Sequence, residues 1–160
     1  MASATQSLPI VSSATQYSAA GTSVVAVRLW AKLLFASRAR TRFLAQCLLD
    51  TGAPICVVPY AYHQTYSFAW QALSGTWPQG YSSWAGVPCT LGQVSVWLPI
   101  PGTSIQRGPF RLIAKFAQAS PPGISTPLPI LLGLNFLADH RAECSFQCHA
   151  IPHAGSIEFP

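Results

Sequence analysis

Apolar residues come in short runs separated by Gly, Pro, Ser and Thr, a rhythm of strands and turns rather than of long helices. Val24 to Trp30 is rich in strand formers, and Lys32 to Phe35 continues it. Ser37 to Thr41 reads as a polar hairpin tip, after which Arg42 to Leu49 returns as a strand ending at Asp50. Ile55 to Pro59 predicts a short buried strand, and Tyr60 to Phe68 admits a short helix. Residues 74–83 hold Gly75, Pro78 and Gly80 among Trp70, Trp77, Tyr81 and Trp84, the makings of an aromatic-rich hairpin or loop. Val87 to Leu98 predicts a strand with a kink or turn at Gly92, and Pro109 to Ala117 another. Ser120 to Pro129 is a loop, Pro129 to Leu132 a compact apolar strand, and Leu134 to His140 a helix of about two turns. Arg141 to Cys148 and Gly155 to Phe159 close the chain as strands. The expected fold class is therefore all-β with one short helix. Residues 1–22 read as a flexible N-terminal arm, and 23–160 as one domain.

Composition adds two constraints. Half of the 160 residues are hydrophobic and only 8% are charged, so a buried subunit interface is expected. The net charge of +5 reflects a shortage of acids, of which there are four: Asp50, Asp139, Glu143 and Glu158. Arg38, Arg40 and Arg42 form the densest basic group, spaced to share one face of a strand or hairpin. No nucleic-acid-binding motif accompanies them, so they read as a solvated edge and no nucleic-acid partner is expected. No apolar run reaches the roughly 18 residues of a membrane span. The N-terminal residues make a poor signal peptide, and a cytoplasmic location is expected.

The five cysteines form an odd count without framework spacing and read as reduced thiols. Cys144, Cys148, His149 and His153 are zinc-type ligands, but they lack the long spacer between pairs that zinc fingers use. Neither a metal nor any other cofactor is expected.

Asp50 is the anomaly. It stands between two apolar runs, in Leu48-Leu49-Asp50-Thr51-Gly52-Ala53 followed by Ile55-Cys56-Val57-Val58. A buried carboxylate costs several kcal/mol unless it is paired or hydrogen-bonded. No Lys or Arg lies nearby in sequence. Thr51 offers a hydroxyl, Gly52 permits a tight turn that aims N–H groups at the carboxylate, and Ala53 is small. From Thr51 to Gln106 there is no charged residue at all, which suits a cleft for apolar or extended peptides.

With those flanks, the chain resembles the aspartic proteases of the retropepsin-like branch. That family carries an apolar strand, Asp-Thr-Gly-Ala, and a second apolar strand. Further on it shows apolar residues, a glycine and a short helix, matched here by Ile130-Leu131-Leu132-Gly133-Leu134-Asn135-Phe136-Leu137. The resemblance spans roughly Val24 to Phe159 and departs at two positions. Viral members place an ion-paired Asp and Arg where this chain has Pro54 and Leu134, so both charges are missing together.

The resemblance implies a closed β-barrel of the acid-protease type with a flap hairpin, and a homodimer acting on protein or peptide substrates. Asp50 is the implied catalytic residue, one from each subunit, supported by Thr51, Gly52 and Ala53. Leu132, Gly133 and Asn135 form the second motif. The flap tip is expected between Gly75 and Gly80, with Trp77, Gly80 and Tyr81 near substrate. The chain ends are expected to add strands to the dimer sheet, Gly155 to Phe159 among them. Two other readings compete. One is a non-catalytic peptide-binding or dimerisation module on the same fold. The other, a cysteine hydrolase using Cys47 or Cys56 with His63, is disfavoured because those thiols lack a positive neighbour.

Overall fold

In the computed structural model, which describes residues 5–78, 80–148 and 153–160, the strand-forming runs pair into a single sheet. Its elements in chain order are β1 Gln6–Ala19, β2 Thr22–Ala36, β3 Arg42–Leu49, β4 Cys56–Val58, α1 Tyr60–Thr65, β5 Gln71–Ala72, β6 Ser83–Trp84, β7 Val87–Pro99, β8 Gln106–Ala117, β9 Ile130–Leu132, α2 Leu134–Asp139, β10 Glu143–Phe146 and β11 Gly155–Phe159. The protein is mostly β, with two six-residue helices rather than one.

The N-terminal segment differs most from expectation. Gln6–Ala19, assigned from sequence to a flexible arm over 1–22, is strand β1. Leu8 and Ile10 are fully buried on one side of it, and that burial anchors the strand. Residues 1–4 of that arm lie outside the described residues. β1 pairs β11 through Gln6↔Phe159 to Ile10↔Gly155, then pairs β2 through Val11↔Trp30 to Ala19↔Thr22. The two chain ends thus meet within one molecule.

From β2 the order continues β3, β9, β4, β8, β7. β2 also pairs β7 at Leu34↔Trp97 and Phe35↔Val96, which joins the two ends of that run. Alternate residues fill the space enclosed: Ala31, Leu33 and Phe35 from β2, Ala45 and Cys47 from β3, Val94, Val96 and Leu98 from β7, and Leu112, Ala114 and Phe116 from β8. Strand β7 continues unbroken through Gly92, where a kink or turn was expected. A side chain there would put its Cβ 2.6 Å from the Trp70 ring and 2.8 Å from the Gln71 carbonyl, so glycine serves close packing instead. Arg38 and Arg40 sit in the β2–β3 connection rather than in a strand, and only Arg42 belongs to β3. The Arg42 guanidinium stacks over the Trp97 ring at 3.9 Å and hydrogen-bonds Gln106.

Candidate active site

β3 delivers the chain to Asp50. β9 lies beside it in parallel, with Cys47↔Ile130, Leu48↔Leu131 and Leu49↔Leu132 in register. On its other side β9 pairs β4 at Val57↔Leu131. The Leu131–Leu132 strand is therefore wedged between the strands that enter and leave the Asp50 turn. β4 is buried throughout and β9 nearly so, which explains why both are wholly apolar, whereas β3 alternates and keeps Arg42, Leu44 and Gln46 on an exposed face.

The turn is held at both ends by main-chain bonds. The Asp50 N–H donates to the Leu132 carbonyl at 3.1 Å, and the Ala53 N–H closes the turn onto the Asp50 carbonyl at 3.1 Å. The Gly52 N–H donates to Asp50 Oδ1 at 2.9 Å. This is the N–H contact the Asp-Thr-Gly sequence predicts, and among the described residues nothing else bonds the carboxylate. Asp50 is half-buried, while Thr51 and Gly52 are exposed.

The second motif locks this turn from below. Leu134 N–H donates to the Ala53 carbonyl at 2.9 Å and Asn135 N–H to the Pro54 carbonyl at 3.2 Å. Main-chain bonds thus tie the two positions where the viral pattern has an ion pair, and the side chains of Pro54 and Leu134 are exposed. The Asn135 side chain accepts from Cys56 N–H and donates to the Ile113 carbonyl, both at 2.8 Å. Gly133 is the point of closest approach. A Cβ there would meet the Ala53 carbonyl oxygen at 2.7 Å and Ile55 backbone carbon at 2.7 Å, so only glycine fits.

Buried thiols surround the support but not the carboxylate. The Gly133 N–H points at Cys56 Sγ, 3.2 Å away. Burial pushes the Cys56 thiol up to about 12, and burial raises Cys47 as well, with Cys56 adding to it. His63 sits elsewhere, its Nε2 2.7 Å from the Ala117 carbonyl and its ring packed against Tyr60, Trp70 and Phe116. These thiols are held neutral, and His63 forms no hydrogen bond to either.

A cleft of about 650 Å³ opens on the face of β3 that carries Gln46 and Leu48. Its lining includes Trp30, Tyr62, Trp84 and Leu131. Trp30, Leu48 and Leu131 are register partners on three adjacent strands, so they form a continuous apolar floor. The lining stops at Leu48. Asp50 follows two residues later, the spacing that returns a strand side chain to the same face.

The lining of this cleft takes Trp84 from the segment in which the flap was read, and does not include Trp77, Gly80 or Tyr81. The chain reverses at Ala85-Gly86, with φ of 49° and 78°, between paired Trp84 and Val87. Two positive φ values make this a two-residue hairpin turn, whose twist matches the flanking strands. One hairpin turn of this segment thus lies at Ala85-Gly86; in the Gly75 to Gly80 stretch, where the flap tip was expected from sequence, Gln79 lies outside the described residues. Trp77 is exposed, and Gly80 and Tyr81 are held by Lys115 instead. Its Nζ donates to the Gly80 carbonyl and, at 3.2 Å, to that of Ser83, and it lies 5.7 Å from the Tyr81 ring centre. Trp84, which faces the cleft, was read only as one of several flanking aromatics. The signal that finds it is its place directly before Ala-Gly and a strand.

Cys144 lies on β10 and Cys148 is exposed, while His149 lies outside the described residues. No helix among the described residues is long and apolar enough to cross a membrane.

No family model matches the chain, and no curated protein matches it. Among solved structures it is similar to the EIAV protease complexed with the inhibitor HBY-793. The two share 21% identity and a TM-score of 0.39, over 74% of this chain and 93% of that chain. At that identity and superposition the likeness carries no argument, so function has to be read from the residues.

Proposed function

We propose that this chain is an aspartic endopeptidase that works as a homodimer, with Asp50 of each subunit at a shared site. The observation that carries this reading is the Asp50 turn. One backbone N–H holds its carboxylate at 2.9 Å, and a second loop 80 or so residues away fixes the turn through Gly133 and Asn135. A scaffold has no need of a half-buried acid so tightly positioned. The return pairing of β2 onto β7 supports reading the sheet as a closed barrel of the acid-protease type.

The chemistry needs two facing carboxylates, and this chain supplies one Asp-Thr-Gly. A two-fold axis beside the exposed Thr51-Gly52 edge would supply the other. Two such carboxylates cannot both ionise, so they share a proton and titrate as a unit. The ionised one takes a proton from a water held between them, and that water attacks the scissile carbonyl. The protonated one donates a hydrogen bond to the carbonyl oxygen as negative charge develops there. No acyl-enzyme forms. The apolar floor of Trp30, Leu48 and Leu131 would take hydrophobic side chains next to the cleaved bond. Trp84, at the hairpin tip, would cover them and exclude water.

A non-catalytic peptide-binding module would keep the same cleft, whose lining does not include Asp50. One comparison separates the two. Wild type and Asp50→Asn are incubated with an unfolded protein from acidic to neutral pH, and fragments are counted. The protease reading expects cleavage by wild type and none by Asp50→Asn with the fold intact. Equal activity of the two, or a folded, dimeric and inactive wild type, overturns it.

A further inference from the structure

The hairpin formed by the far ends of β1 and β2 projects beyond the rest of the sheet. β11 leaves β1 at Ile10, and β3 joins β2 only from Leu29. Between them, among the described residues, Val11–Ala19 and Thr22–Arg28 pair as strands only with each other. Seven residues, Thr22 to Arg28, follow the Ala20-Gly21 turn, so the arm reaches about 23 Å past the sheet. That approaches the diameter of a small domain.

The arm is exposed from Ser13 to Val25, and its side chains suit burial. Tyr17, Val24 and Val25 are 55%, 57% and 58% exposed, and Val27 37%. Tyr17 and Val24 are opposite each other in register, so they share one face, while Val25 and Val27 lie on the other. A two-stranded ribbon is marginal alone in water, and beyond Ser12 both outer edges carry main-chain groups that no strand among the described residues pairs.

The direction of the arm selects its partner. β2 and β3 are antiparallel, with Leu29 opposite Leu49. Residues before Leu29 therefore run past the end of the sheet where Asp50 sits. Charge points the same way. Each copy carries +5, yet no Lys, Arg, Asp or Glu occurs before Arg28. Two like-charged copies meet at least cost on an uncharged surface. At its root the arm is continuous with the cleft, since Arg28 and Trp30 both line it.

We infer that the arm from Val11 to Arg28 clasps a second copy of this chain and holds the two Asp50 turns together. This rests on the dimeric reading above, because the site is incomplete without the second copy. Each arm extends along its partner on the Asp50 side, burying its valines and satisfying its free edges.

The test is a Val24→Lys/Val25→Lys/Val27→Lys variant of the full chain, with dissociation constants from sedimentation and fold from circular dichroism. The expected result is an unchanged spectrum and a dissociation constant raised at least about tenfold. Specific cleavage activity should fall at low protein concentration and return as concentration rises. An unchanged constant in a folded variant overturns the role of the arm while leaving the protease reading intact. A dimeric wild type whose dimer the variant weakens, but which cleaves nothing, keeps the arm and sinks the protease. Hydrogen exchange of the wild type decides the matter if the variant misfolds. Amides of the arm should be protected only at concentrations where the dimer forms, and concentration-independent exchange there overturns the inference.

Discussion

The N–H of Cys56 donates to Asn135 Oδ1 at 2.8 Å, joining residues 79 apart in sequence. The same side chain donates to the Ile113 carbonyl, so one amide ties the start of β4, helix α2 and strand β8 behind the Asp50 turn. Asn and not a hydrophobic residue belongs there because the site presents one donor and one acceptor, and the amide answers both.

Asn135→Leu should therefore cost about 2–4 kcal/mol, since it strands two partly buried backbone groups at once. Urea unfolding measures this directly. A midpoint unmoved from wild type would show that water replaces the amide at no loss.

Gly133→Ala should be worse than its single methyl suggests. The added carbon meets backbone on every side, at 2.7 Å from Ala53 and from Ile55, and no flexible side chain can yield. Overpacking of this kind costs roughly 1–3 kcal/mol and shifts the loop it pushes against. Cleavage should be lost before the fold is, because the Ala53–Asp50 turn moves first. A variant with full activity would contradict the support assigned to Gly133.

Lys115→Met should loosen one segment and little else. Its ammonium binds the Gly80 and Ser83 carbonyls in a part of the chain with no charge of its own. Lys115 is solvent-accessible enough that global stability should change by less than about 1 kcal/mol. Amide exchange in residues 80–86 should speed up, and KM for peptides should rise more than kcat falls if that segment steadies Trp84. Unchanged exchange would remove the anchoring role.

His63 sets a pH dependence of stability. Burial lowers its pKa below the usual 6.5, with Arg38 adding to the effect, while the bond to the Ala117 carbonyl opposes it. Among the described residues its buried Nδ1 has no partner, so a second proton there would be unsatisfied. A base whose folded pKa is depressed binds its proton more readily when unfolded. Its contribution is full above about 6.5 and is lost as pH falls below that value toward the folded pKa. Urea midpoints should fall across that window in wild type, and less steeply in His63→Phe. Parallel slopes for the two would assign the acid sensitivity to other groups.

Most of the strands were legible from sequence because each is set by local alternation and by turn residues. Arg42–Leu49 and Gly155–Phe159 form with the bounds their patterns predict. The Asp50 turn was legible for the same reason, since Gly52 and Ala53 lie beside it in the chain. The reversal at Ala85-Gly86 was not. Gly75, Pro78 and Gly80 carry stronger turn chemistry than Ala85-Gly86, and only the pairing of β6 with β7 reveals the turn between them. Nor was β1, whose Ser-rich composition hides that Leu8 and Ile10 find a buried face against the chain's other end.

By itself, then, the sequence determined an all-β chain, the acid in its tight turn, and the glycine motif that follows. Tertiary structure alone decided that β9 enters between β3 and β4, and so places Gly133 and Asn135 under Asp50. It also decided that Trp84 lines the cleft and that the arm stands clear of the sheet. Local propensity acts over a few residues, whereas strand order depends on which apolar faces meet across the whole chain, and no short window contains that information.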